Sequence, residues 1–283
     1  MTLSAVLITM VISFLVAQND FFSFAVRSSE AHDRVRSVAE QIQAEFRAVS
    51  PASGKGKGSG DLDGIEVAQD DRILFRAPVA VGVVCRTQEG KGKGKGSGAA
   101  GGASVFLPLG AEEVDGDRIS GYGVQPLSNG GWRYYSNGWA AILGSGGSPD
   151  SDCEEVGADL DAANGGFFLL EGSVPDNTEA GDLISLLTEV EFFFDDSALL
   201  PGTRALFRRV GEQDPVEFAS GLAPDAAFQY RVGESPDWTD SVNPSGQRAN
   251  IRAIRVVAEA ALPGGGEGGS YGWVVELPLR NVP

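Results

Sequence analysis

The sequence predicts an α+β protein: a long N-terminal transmembrane α-helix that continues into a mainly antiparallel β soluble domain. Three observations carry that expectation. Residues 1–17, MTLSAVLITMVISFLVA, hold no charge, and the apolar character runs on to Val26 with Asp20 as the one charged residue. Residues 31–49 then place apolar side chains at helical spacing. Beyond Pro51 the apolar residues fall in short β-branched runs between Gly- and Pro-rich connections, the pattern of strands and turns.

The opening run, residues 1–26, is the transmembrane helix of this reading. As a helix, Met1 to Val26 would reach about 39 Å at ~1.5 Å per residue, against a bilayer core of ~30 Å. Ser4, Thr9 and Ser13 can bond back to helix carbonyls, so none of them opposes insertion. Thr2, Leu3, Ala5, Leu7, Ile12, Phe14, Leu15, Phe21, Phe22 and Phe24 are the candidate residues for packing against lipid and neighbouring membrane helices. A cleavable secretory signal fits less well, because nothing basic precedes Leu3 and the apolar core is too long. A buried soluble helix is the third reading. Arg27, Arg34 and Arg36 follow the run and no basic residue precedes it. The positive-inside rule alone would then leave the remainder in the cytoplasm. A basic leader removed during maturation would resolve that conflict.

Residues 27–50 continue the helix in amphipathic form. Ala31, Val35, Val38, Ile42, Phe46 and Val49 form one stripe, with Glu30, Asp33, Arg34, Arg36, Glu40 and Glu45 on the solvated side. Ser50-Pro51 ends it, since a residue before proline is disfavoured in helical geometry. Two helices with a break near Gln18-Asn19-Asp20 are the alternative.

Residues 51–283 read as a β-rich domain. Strands are expected at Ile65–Ala68, Arg72–Arg76, Val79–Arg86, Ser104–Leu109, Val190–Asp195, Arg204–Val210, Asn250–Ala261 and Tyr271–Leu279, with a helix as the alternative for Asn250–Ala261. The Leu200-Pro201-Gly202 turn joins the fifth and sixth of these as a hairpin, Pro-Gly being a type II signature. All five lysines lie in two glycine-alternating tracts, 53–60 and 90–102, which read as surface loops or, alternatively, as a basic arm. Trp132, Tyr134, Tyr135 and Trp139 are either a candidate partner patch or a hairpin whose alternate rings cover the sheet.

Charge and composition exclude several functions. A formal net charge of −17 argues against nucleic acid, whose phosphates attract Lys and Arg. One histidine, His32, rules out multi-His metal sites and makes His-based nucleophilic catalysis implausible. Gly268-Gly269-Ser270-Tyr271-Gly272 fits GxSxG but precedes a strand rather than forming a strand-to-helix elbow. Residues 96–101 fit GxGxxG with no helix after them. The acidic run Asp150, Asp152, Glu154, Glu155, Asp159, Asp161 lacks the glycine of a calcium loop and is expected to be solvated. No catalytic set, cofactor or metal site is therefore expected. Cys85 and Cys153, the only two cysteines, are a disulfide in an oxidising compartment or two thiols in a reducing one.

A family resemblance joins these readings. The start MTLSAVLITMVISFLVAQNDFF with RSSEAHDRVRSVAEQIQAEFRAVS resembles a mature type IV pilin-like protein, notably a minor pilin or pseudopilin of the PilW-like kind. VEFFFDDSALLPGTRALFRRV, AFQYRV, NIRAIRVVAEAAL and WVVELPLRNVP resemble that family's closing strands in order. The resemblance covers roughly residues 1–50 and 183–283. It implies a pilin-like fold and a processed, methylated N-terminus at Met1. It also implies a single-pass inner-membrane location, with the β domain in the periplasm. The expected role is a non-enzymatic structural subunit priming or capping a filament, in a hetero-oligomeric assembly with other membrane-protein subunits and the lipid bilayer. Ala5 stands where the family usually carries Glu, which counts against a major filament subunit. An accessory subunit of a large inner-membrane complex, photosynthetic or otherwise energy-transducing, is the alternative.

Overall fold

The computed structural model describes residues 12–19, 21–23, 25–26, 29, 36, 39–40, 42–46, 64–87, 100–109, 119–127, 132–135, 140–143, 166–174, 178–243, 245–260 and 271–279. Thirteen strands form one antiparallel sheet. They are β1 (Ile65–Ala68), β2 (Arg72–Thr87), β3 (Ala100–Leu109), β4 (Gly121–Gln125), β5 (Arg133–Tyr135), β6 (Ala140–Leu143) and β7 (Gly166–Val174). The second half holds β8 (Leu183–Asp196), β9 (Arg204–Val210), β10 (Val216–Leu222), β11 (Ala227–Val232), β12 (Ile251–Ala260) and β13 (Tyr271–Pro278). A one-turn helix, Ser245–Arg248, precedes β12.

The main path runs β11-β12-β10-β9-β8-β2-β3-β7-β6. β8 is its spine. Along one edge it pairs with β2 from Leu183 to Phe193. Along the other it pairs with β4 at Leu183–Leu187 and with β9 at Val190–Asp196. The alternation in β8 explains its burial: Ile184, Leu186, Val190, Phe192 and Phe194 all point to one face and are buried. The first two belong to one apolar cluster and the last three to another.

β2 serves both clusters only because it carries an extra residue. Ile73 and Phe75 face the first cluster from odd positions, whereas Ala80 and Val84 face the second from even ones. The register steps from Pro78↔Leu187 to Ala80↔Leu186, leaving Val79 as the bulge that changes the parity. Pro78 sits at that bulge, where a missing N–H costs little. The sequence reading ended one strand at Arg76 and began another at Val79; the structure has a single strand.

The larger cluster lies within a curled part of the sheet. Phe228 N of β11 donates to Asp70 O at 2.7 Å, and Tyr230 Oη donates to Gln69 O at 2.8 Å. Val242 N donates to Ala68 O at 2.9 Å. The β1–β2 hairpin therefore meets the β11 end of the sheet, and Phe228, Tyr230, Ile254, Val256 and Leu277 share one core with Phe75 and Phe192. Burial raises the Tyr230 hydroxyl pKa well above its ordinary value, with Asp70 adding to the effect. The smaller cluster packs Ala103, Val105 and Leu107 of β3 with Tyr122 and Val124 of β4.

The expected β8–β9 hairpin is present, Val190↔Val210 through Asp196↔Arg204. Thr203 N donates to Leu200 O at 3.2 Å, and Gly202 has φ 84°, which a type II turn requires at its third position. β1, β12 and β13 fall where sequence patterning puts strands, and β11 falls on AFQYRV, which the family resemblance alone marked as a strand. β4, β7 and β10 were not anticipated. The aromatic segment is not a hairpin: β5 pairs with β4, and β6 pairs with β7.

The expected long transmembrane helix is corrected. Among the described residues no helix is long and apolar enough to cross a membrane. The longest uninterrupted helical run among them in the opening region is residues 12–19. The length rule counted apolar residues, and hydropathy alone does not specify a membrane-length helix. The fold class becomes mainly antiparallel β. With it go the single-pass inner-membrane location and the pilin-like layout of one long helix on a small sheet.

Glycine at position 82 is required by close backbone approach. A Cβ there would collide with the Phe106 carbonyl oxygen and lie 2.6 Å from Leu107 Cδ2. Gly82→Ala is expected to lower unfolding free energy by about 1–3 kcal/mol, read from the urea midpoint at unchanged slope. Gly272→Ala is the control, because its Cβ would meet only Glu259 side-chain atoms at 3.7 Å.

Candidate functional site

The described N-terminal residues divide into a buried part and an exposed part. Ile42 and Phe46 are 1% and 2% exposed and belong to the larger core. Phe46 lies 4.9 Å from Phe75 and 5.9 Å from Phe192, ring centroid to centroid. Arg208 Nε donates to Glu45 Oε2 at 3.0 Å, tying the same helical turn to β9. A four-residue spacing puts Ile42 and Phe46 on one side of that turn, with Glu45 between them at the edge of the contact.

Residues 12–19 are the opposite case. All eight are exposed, so no face of this helical run is covered. Ile12, Phe14, Leu15 and Val16 are 54–62% exposed, and Phe21, Phe22 and Val26 lie between 56% and 67%. Isolated surface apolar residues need no explanation, but a contiguous apolar stretch marks a contact surface. Of the candidate helix-packing residues, Ile12, Phe14, Leu15, Phe21 and Phe22 lie on this stretch. Met1, Thr2, Leu3, Ala5, Leu7 and Phe24 fall outside the described residues.

The aromatic candidates are not gathered into one patch. Tyr134 is buried against Leu187 and stacks with Trp132 at 6.2 Å. It stands directly opposite Gly123 in the ladder, where a Cβ would meet its ring at 2.7 Å. Tyr135, the next residue, stacks on Tyr122 at 5.1 Å and packs on the smaller core. Neighbours in a strand point to opposite faces, so β5 divides these rings between two packing roles. Trp139 lies outside the described residues.

Cys85 is buried on β2 and is disulfide-bonded. Cys153, the chain's other cysteine, lies outside the described residues, as do His32, the glycine-lysine tract at 53–60 and the acidic run at 150–161. All but its last three residues of the tract at 90–102 do so too. Among the described residues, no group of three or more His, Cys, Asp and Glu could hold a metal ion.

Sequence reasoning missed one charged assembly. Across β1, β2, β8 and β9, on the face of β8 turned away from the apolar clusters, three arginines alternate with three glutamates. Arg76 binds Glu66 and, at 3.2 Å, Glu189. Arg72 and Arg209 bind Glu191, whose side chain is 3% exposed. Register places Arg76 opposite Glu189 and Arg209 opposite Glu191. Arg76 Nε also donates to Ser120 Oγ at 3.3 Å. The period-two charges R72-x-L-x-R76 and E189-x-E191 were the available signal. Every carboxylate here is engaged by a guanidinium, which suits it to holding strands together rather than to acid–base chemistry.

Comparison of the chain with protein-family models, with curated proteins and with solved structures finds no match. The pilin resemblance therefore gains nothing from them.

Two outcomes follow from this geometry. Phe46→Ala should cost about 3–5 kcal/mol of stability, since it empties an aromatic site between Phe75 and Phe192. Urea unfolding measures it, and hydrogen exchange at residues 42–46 should accelerate in parallel. A non-reducing peptide map should recover Cys85 joined to Cys153. Reduction should lower stability by about 4 kcal/mol in the chain-entropy picture.

Proposed function

We propose that this chain is a non-enzymatic structural subunit of a hetero-oligomeric assembly, docked through its apolar N-terminal residues. The observation that carries the reading is the contrast within one segment: Ile42 and Phe46 are buried in the sheet's core, whereas Ile12, Phe14, Leu15, Val16, Phe21, Phe22 and Val26 are exposed. The sheet supplies the anchor, and the apolar stretch is left for partners.

Magnitudes support this. Covering a half-exposed Phe, Leu, Ile or Val contributes on the order of 1–2 kcal/mol. Seven such residues together reach the range of the entropic cost of association, roughly 4–15 kcal/mol. A helical run exposed on every side needs several helices around it. The role fits an accessory subunit of a larger complex.

The test is substitution of Phe14, Leu15, Phe21 and Phe22 by Ser in the full-length protein. In native extracts the wild-type chain should migrate with a high-mass complex on size exclusion. The variant should leave it, with the complexed fraction falling at least about ten-fold and the circular dichroism spectrum unchanged. A variant that stays in the complex overturns the reading.

A further inference from the structure

We propose that β13 is a dimerisation edge, pairing antiparallel with β13 of a second copy about a two-fold axis at Val274. This inference does not rest on the N-terminal docking surface.

β13 pairs with β12 along its whole length, Ala253↔Pro278 to Ala260↔Tyr271, and with no other strand among the described residues. Its outward positions alternate. Gly272, Val274, Glu276 and Pro278 are exposed, while Leu277 is buried in the core. Val274 is 56% exposed beside its ladder partner Val257. An edge strand with an unpaired row of N–H and C=O groups is a template for another strand.

Proteins guard such edges with charge, especially lysine, and this strand has almost none. In a chain of net charge −17, Tyr271–Pro278 holds one ionisable acid, Glu276. Arg255 Nη2 donates to its Oε1 at 2.6 Å. Arg255 is itself fixed, 4.0 Å above the Trp238 ring. The strand's own carboxylate is thus paired, and an exposed valine stands at its centre.

A second copy is the occupant that this pattern fits. An axis through Val274 sets Val274 against itself and Gly272 against Glu276, so no like charges stand opposite each other. The two glutamates lie on opposite sides of the axis, each beside its own Arg255. Pro278, which offers no N–H, falls at the end of the paired segment, where it limits the ladder without breaking it. Glu259, the ladder partner of Gly272, lies beside the strand and would approach the second copy's Glu276, a repulsion offset by the Arg255 that each Glu276 already holds.

The experiment uses the full-length protein in sedimentation equilibrium, with the Phe14, Leu15, Phe21 and Phe22 to Ser background in every arm to remove N-terminal association. The parent should be a dimer. Val274→Glu and Val274→Lys, each placing like charges across the axis, should raise the dimer dissociation constant at least about thirty-fold. An equimolar mixture of the two should restore the dimer, because the pair then carries opposite charges. Matching thermal melts exclude unfolding as the cause. A monomeric parent overturns the proposal, as does a dimer insensitive to both variants or a mixture that fails to reassociate. The native-extract test of the N-terminal surface is read separately, so either result can fail alone.

Discussion

The ladder between β2 and β8 is the constraint on which the structure depends. Eleven register pairs join the two strands, from Arg72↔Phe193 to Val83↔Leu183. Each strand also carries further pairings, β1 and β3 on β2, β4 and β9 on β8. Strand side chains alternate with a period of two, so a long strand in unbroken register keeps one parity toward the core. The single extra residue at Val79 changes that parity in β2 while β8 stays regular. One pair of strands can then line two apolar clusters without turning polar side chains into either.

The faces of this frame are chemically unlike. Toward the clusters β8 presents Phe192 and Phe194; away from them it presents Glu189 and Glu191. A nearly buried carboxylate without a partner would be costly to hold in place. Glu191 is held between Arg72 and Arg209, from the strands on either side, so the charges reinforce the same neighbour order that the apolar face specifies. A register slip by one residue would put glutamate into the core and phenylalanine among arginines. The two faces therefore enforce one alignment, whereas either alone would tolerate more error.

What the sequence made legible follows from the range of each signal. The β8–β9 hairpin was readable because Pro201-Gly202 is a local instruction and both strands alternate strongly beside it. β12 and β13 were readable for the same reason, a periodic run at each side of a glycine-rich connection. β4, GYGVQ, was not, since two of its five residues are glycine; it is a strand because Tyr134 covers Gly123 across the ladder, a contact no local pattern announces. Pro78 looked like a break because proline ends strands in general, and only pairing to β8 turns it into a bulge. The error at the N-terminus was of a different kind. An uncharged run fixes hydropathy, which does not by itself specify a membrane-length helix, and there is none among the described residues. For the candidate surface, Ile12, Phe14, Leu15, Phe21 and Phe22 were singled out as membrane-helix packing residues and are exposed apolar side chains in the structure, while the arginine–glutamate assembly escaped because it joins β2 to β8, over a hundred residues further on.

The division of the N-terminal segment also bears on how it stays helical. In proteins most helical stability comes from packing an apolar face rather than from the helix alone. Residues 42–46 gain it by packing Ile42 and Phe46 into the core and by joining Glu45 to Arg208. Residues 12–19 make no such contact on any side. Their helical order therefore depends on what covers them, and docking would stabilise the helix as well as bury its apolar surface. Recognition and local folding then become a single step, with affinity reduced by the entropy of ordering and specificity set by the shape that the ordered helix presents.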